Sequence, residues 1–468
     1  MSWTKEHISI LIVVAVTSFM GTFLISSVNI ALPALETDFG LDAVRLSWMV
    51  TAFLLASAIF LLPVGRLADT KGVRNLFKIG LFIFTLTSLL CAIAPNGMLL
   101  ILFRFLQGTG AALTTTTGPA ILVSVFPAQQ RGRVLGISVS SVYLGLATGP
   151  LFGGFLTQSF GWRSIFYLST LMGLAAIIVA YLYLGRDGIR GARKYINFKG
   201  LLYYMPGLFL LVSGSSWIPG TTGWVMIGIG LLLLVGFWLH ESKSQAPVFD
   251  TRLFSKNRLF AFSNLAALIN YSATFAIVFF LSLYLQKIQM LSPREAGSIL
   301  IAQPIMMAIF SPLAGRLSDR IQPRYLATLG MSMCTLGLAA FAFLGQETSI
   351  GIIVGILIFV GLGFAFFSSP NMNTIMGSVD RHQYGIASGT SATMRVLGQM
   401  TSMTIATIFF ALLFSGQSVN AVSDEVFLKA QFWGFFTFAA IGATGIYFSF
   451  NRGRLNREAQ MVQRVESR

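Results

Sequence analysis

The sequence predicts an all-α polytopic membrane protein with fourteen spans, on three observations. Of 468 residues, 55% are hydrophobic and only 10% are charged, more apolar side chain than a water-soluble chain could cover. Apolar runs of about twenty residues recur along the whole length, enough for a helix to cross roughly 30 Å of hydrocarbon. Basic residues are distributed very unevenly between alternate loops. The strands of an outer-membrane barrel would be shorter and alternating.

In chain order the spans are read at 8–35, 46–65, 76–94, 98–125, 134–157, 164–184, 200–216, 222–240, 259–286, 296–315, 326–344, 350–370, 385–414 and 431–450. The first is too long for a signal-peptide core and lacks a cleavage site, so it is expected to remain as a helix. The second and third flank a short basic loop. The fifth concentrates glycines. The seventh and eighth are bracketed by charged loops. Cys91 and Cys334 lie in apolar runs and are read as buried thiols.

Orientation follows from charge. With the N-terminus inside, 25 of the 32 basic residues fall on the inside, in loops and tails or, for Lys78, at the inner end of the third span, among them Arg131, Arg133, Arg193 and Lys194. Five fall outside (Arg45, Arg163, Lys287, Arg294, Lys429), and Arg104 and Arg395 lie within spans. Both termini are therefore expected to be cytoplasmic, in the inner membrane of a cell. The net charge of +16 is a topology signal, and nucleic acid is not an expected partner.

The chain contains a weak internal repeat. "PVGRLADTKGVRNLFKIG" from Pro63 is echoed by "PLAGRLSDRIQPRYLATLG" from Pro312. Gly65, Arg66, Leu67 and Asp69 map onto Gly315, Arg316, Leu317 and Asp319 at one offset, and Gly132, Gly136 and Gly145 recur as Gly385, Gly389 and Gly398 at another. Duplicated membrane halves mark transporters, with the substrate site where the halves meet. The expected organisation is a six-helix bundle over 1–184, an insert with two helices over 185–258, and a second six-helix bundle with a basic tail over 259–468.

Four segments carry a family resemblance: "GRLADTKGVR" after the second span, "RFLQGTGAA" in the fourth, "GISVSSVYLGLATGPLFGG" in the fifth, and "FSSPNMNTIMGSVDRHQYGIASGTSATMRVLGQ" late in the chain. In order, and with the span count, they resemble the major facilitator superfamily and its fourteen-helix drug:proton antiporter branch. The resemblance covers nearly the whole chain. It implies a major-facilitator fold and drug-type efflux. It also implies a cytoplasmic latch built on Gly65, Arg66, Asp69 and Arg74, with Gly315, Arg316 and Asp319 as its counterpart. The alternative for Asp69 is an ordinary solvated loop charge.

The fifth-span segment matches the family's antiporter motif through Gly136, Gly145, Gly149, Pro150, Gly153 and Gly154. Three of these glycines are four residues apart and line one stripe, which lets another helix approach closely. Pro150 cannot donate to the carbonyl of Leu146, so a bend is expected there. A static packing groove and a moving seal are both consistent with this pattern.

Arg104 and Arg395 sit deep in their spans, where a charge normally faces a bundle interior or water; snorkelling is the alternative. Gln107 and Gln399 share their faces. With Asn29, Gln303, Asn371 and Asn373 they form the expected substrate-cavity lining, neutral-polar to positive. All sixteen acidic residues fall in loops, tails or helix ends. Leu24 stands in "FLISSVNIALP" where the branch carries an Asp, and His7, His240 and His382 lie at or beyond span ends. Glu36, Asp38 and Asp42 are read as solvated charges outside the first helix, and Glu295 opens the tenth span.

The sequence shows neither a nucleotide-binding P-loop nor a metal-ligand or nucleophile–base pattern. An enzyme, a cofactor and a metal are therefore not expected. The expected function is proton-coupled export of small amphipathic molecules by alternating access, in a monomer within the lipid bilayer. A facilitator or exchanger for a neutral or anionic metabolite is the alternative.

Overall fold

A computed structural model describes residues 4–127, 130–185, 198–244, 249, 251–318, 320–379 and 384–455. The helices are α1 (Lys5–Phe39), α2 (Ala43–Lys71), α3 (Val73–Ala92), α4 (Gly97–Val125), α5 (Arg131–Phe160) and α6 (Arg163–Tyr183). They continue with α7 (Phe198–Ser215), α8 (Thr221–Lys243), the short α9 (Thr251–Lys256), α10 (Arg258–Thr274), α11 (Ala276–Lys287) and α12 (Pro293–Leu300). The last five are α13 (Ala302–Ser318), α14 (Pro323–Ala342), α15 (Ile350–Gly377), α16 (Tyr384–Leu413) and α17 (Asp424–Phe450). α10 with α11 and α12 with α13 each make one span. Among the described residues, thirteen spans are long and apolar enough to cross a membrane. α7, 18 residues long and paired with α8, is read as the fourteenth.

Polar residues start the helices by satisfying exposed N–H groups. Asp42 accepts from Arg45 N–H, Asn96 from Leu99 N–H and Asn257 from Phe260 N–H. Ser292 and Glu295 form a reciprocal capping box at α12, whose first residue is Pro293. α1 ends at Gly40, whose φ of 60° is left-handed.

The two halves repeat one packing scheme. α1 packs on α5 and α6, α2 on α4, and α3 on α4 and α6. Likewise α10 packs on α16 and α17, α13 on α15, and α14 on α15 and α17. Glycines mark equivalent crossings. A Cβ on Gly80 would meet Gly110 O and Thr114 N, and one on Gly330 would meet Gly363 O and Phe367 N. The inserted α7 and α8 pack on each other, and α7 leans on α2 and α16. Tyr204 donates to Ala58 O at 2.8 Å, and Trp48 Nε1 donates to Ser216 Oγ at 2.6 Å.

The bundle has a near end, where α1 starts and α17 finishes, and a far end. Described contacts between the halves concentrate at the far end. Ser47 and Thr407 hydroxyls meet at 2.8 Å, Ser282 donates to Asn29 O at 2.6 Å, and Gln286 donates to Ile30 O at 3.0 Å. Ala43 N–H donates to Gln417 O at 3.0 Å. No hydrogen bond joins the halves at the near end among the described residues. There Gly136 and Gly389 are exposed, with open space around them. Among the described residues, hydrogen bonds between the halves thus close the far end, while open space surrounds Gly136 and Gly389 at the near end.

One expectation is corrected. Glu36 is not a solvated loop charge: it lies in the last turn of α1 and is 3% exposed. The second half covers it, which the sequence of α1 alone does not reveal.

Candidate functional site

The two intramembrane arginines occupy different surroundings. Arg104 is fully buried inside the first half. Its Nε donates to Met49 O at 2.9 Å and its Nη1 to Gln107 Oε1 at 2.6 Å. Gln107 passes the chain on to Ser88 Oγ at 2.7 Å. The guanidinium stacks over Phe53 at 4.6 Å. This Arg–Gln–Ser relay ties α4 to α2 and α3. Arg104 and Gln107, expected to line a cavity, face instead into their own half.

Arg395 lies twelve residues into α16, about 16 Å from its start. It is partly exposed, and it has no hydrogen bond or ion pair among the described residues. Tyr271 of α10 lies within its electrostatic reach. Tyr271 also neighbours Tyr143 and Ser368. Tyr143 of α5 and Ser368 of α15 meet across the halves at 3.2 Å. Phe364 meets Tyr271 edge-on at 5.4 Å. Arg395, two tyrosines, a serine and a phenylalanine thus converge midway along the bundle, on the near-end side of the far-end seam. Gln399, one turn along from Arg395, is partly exposed too. The tyrosines were missed in the sequence. The available signal was pairing by the repeat: Gly145 packs on Thr22 and Gly398 on Tyr271.

The other expected lining residues scatter. Asn29 and Gln303 are buried, and Asn29 Oδ1 and Gln303 Oε1 have no partner. Asn371 belongs to a near-end cluster, accepting from Arg452 Nη1 at 2.6 Å and donating to Ser263 O at 3.1 Å. Arg452 follows α17 and also donates to Ser449 O at 2.7 Å. Burial there pulls its guanidinium down to about 9. Asn373 donates to Ser318 Oγ at 2.9 Å. Leu24 is fully buried in the main apolar cluster. Of the latch residues, Asp319 and the side chains of Arg66 and Asp69 lie outside the described residues. Arg74 and Gly65 are partly exposed, and Gly315 lies against Ser369.

The glycine stripe of α5 packs within its own half. A Cβ at Gly145 would sit 2.5 Å from Phe19 O, one at Gly149 2.5 Å from Ser26 Cβ, and one at Gly153 2.7 Å from Ser27 Cβ. Hydroxyls of α1 reinforce this edge: Thr22 donates to Val142 O at 2.9 Å and Ser27 to Gly149 O at 3.0 Å. Pro150 leaves the carbonyl of Leu146 without its helical donor, and Ser26 donates to it at 3.3 Å. α5 runs unbroken through Pro150. The other edge of α5 meets the second half. A Cβ on Gly154 would lie 2.3 Å from Pro293 O, and one on Gly297 2.1 Å from Pro150 O.

Comparisons with known proteins agree with this architecture. The family model described as Major Facilitator Superfamily matches residues 11–403. The chain is 31% identical to the riboflavin transporter RibZ of Clostridioides difficile over 412 residues, covering 88% of this chain and 89% of that one. It is 30% identical to a multidrug resistance protein B homolog of Mycobacterium tuberculosis over 428 residues, covering 90% and 79%. The crystal structure of a D-xylose–proton symporter superposes with a TM-score of 0.67 at 14% identity, covering 95% and 97%.

Proposed function

Because the chain belongs to the Major Facilitator Superfamily, we propose that it exports small amphipathic molecules, neutral or anionic, by alternating access coupled to protons. The observation that carries the cargo class is Arg395. A cation held deep in the bundle without a partner among the described residues is costly, and an anionic or carbonyl-bearing cargo would offset that cost. The tyrosines and Phe364 beside it offer flat apolar faces to an aromatic ring. Among the described residues no carboxylate stands in the middle of a span to hold a lipophilic cation. The names of the relatives, a riboflavin transporter and a multidrug resistance protein, support organic cargo of this kind.

The far-end closure and near-end parting support one of the two states that alternating access requires. The charge asymmetry supports a cytoplasmic near end, so this state would load cargo from the cytoplasm. The protein is read as a monomer of the inner membrane. Burial of Leu24 favours the second reading, a facilitator or exchanger, because no described carboxylate or histidine stands mid-span.

Flux into liposomes under an imposed pH gradient tests the proposal, with riboflavin, an anionic aromatic dye and a quaternary ammonium dye as probes. Gradient-driven accumulation of the first two is expected, with the anionic dye lost in Arg395→Gln. Robust quaternary ammonium flux, unaffected by Arg395→Gln, would overturn the cargo class. Flux insensitive to the gradient would select the facilitator.

A further inference from the structure

Glu36 stands at the closed end of the seam. α1 has 35 residues, about 52 Å of helix, so its last turn projects beyond ~30 Å of hydrocarbon. Oε1 accepts from Asn420 N–H at 2.7 Å, in the loop that joins α16 to α17 in the other half. Ser418 and Val419 of that loop lie beside the carboxyl. Oε2 is buried without a partner. An anion with one oxygen unpaired is an expensive group to bury.

The charges around it do not remove that cost. Lys287, at the end of α11, acts on Glu36. Its ammonium, however, donates to Val422 O at 2.9 Å and Asn420 O at 3.4 Å, and lies 3.6 Å from Asp424. Asp38 is held by Arg163 at 2.8 Å and Trp162 Nε1 at 3.0 Å. Asp42 caps α2 and pairs with Arg45 at 3.3 Å.

We propose that Glu36 is a proton-binding site that fastens the far-end seam. While the seam is open, Oε2 takes a proton from solvent at that end. The neutral acid is then buried as the α16–α17 loop closes over it, with Oε1 still accepting from Asn420 N–H. Opening returns the group to water, where the proton leaves to solvent. The proposal rests on the alternating-access reading. It gives that reading a proton-sensitive step that Leu24 cannot supply.

Spin labels at Gln158→Cys and Lys429→Cys, exposed on opposite halves at the far end, report the seam distance in liposomes. Cys91 and Cys334 are replaced by serine. Lowering the pH from about 8 to about 5, a range that lies above the ordinary Glu value of about 4.3, should raise the closed-to-open ratio, by at most about tenfold per pH unit for one proton. Glu36→Gln, neutral and of the same shape, should stay closed across the range. Glu36→Ala lacks the acceptor and should open without responding to pH. A wild-type distance that ignores pH, or a pH response that survives in Glu36→Gln, overturns the proposal. If the distance follows pH through Glu36 while cargo flux ignores the gradient, the site stands and proton-driven export falls.

Discussion

Removing Arg104 and removing Arg395 should have opposite consequences, because the two guanidinium groups are engaged so differently. Arg104→Ala leaves Gln107 Oε1 without its donor in a fully buried position and removes a second bond to Met49 O. Each buried polar group left without a partner costs about 1–3 kcal/mol. A lower Tm in detergent is expected, measurable by thermal shift, and Arg104→Lys should rescue it only in part, because lysine lacks the fork that meets two acceptors. Arg395→Gln breaks no described hydrogen bond. Its Tm should match the wild type, while anionic cargo binding falls at least about tenfold, equivalent to 1.4 kcal/mol. An unchanged affinity would remove Arg395 from the site. Both arginines were legible as intramembrane charges. Which one was free was not, because the partners of Arg104 on α2 and α3 come from tertiary packing. Tyr143 and Tyr271 were invisible for a related reason: a tyrosine in an apolar run carries no signal until the fold places it beside a charge.

At the scale of the element, α5 presents two edges with different duties. Gly149 and Gly153 face α1 within one half, and Gly154 faces Pro293 of α12 in the other. The first edge should stay packed throughout a transport cycle, whereas the second exists only while the far end is closed. Gly149→Ala should therefore lower stability by about 1–3 kcal/mol through overpacking, whichever way the protein faces. Gly297→Ala would press a methyl group to 2.1 Å from Pro150 O. It should spare each half and bias the seam open at the far end, read as increased labelling of a cysteine placed at that end. Equal labelling in the two alanine variants would refute the division of duties. The spacing of the stripe was legible from the sequence, and so was the carbonyl that Pro150 strands. Its rescue by Ser26 was not, since it depends on α1 lying alongside in register.

At the scale of the whole molecule, the fold was legible because hydropathy, loop charge and the repeated motifs each constrain it independently. The repeat is matched in the packing, where the crossings at Gly80 and Gly330 correspond. The conformational state was not legible: one sequence encodes both states of a rocking transporter. Two hydroxyl pairs separate motion between halves from packing within one. Ser47 and Thr407 meet across the seam at 2.8 Å, and Ser18 and Ser138 meet inside the first half at 3.2 Å. Cysteines at either pair would lie close enough to bridge, since a disulfide needs about 2.05 Å between sulfurs and a modest shift of side chains. Oxidised Ser47→Cys with Thr407→Cys should hold the far end shut and stop net transport, with activity returning on reduction. Oxidised Ser18→Cys with Ser138→Cys should leave transport near wild type, because the two helices move as one body. Reductant-reversible flux in liposomes reads both. Full flux through the oxidised seam pair would mean that the halves do not part there, and alternating access about this seam would have to be abandoned.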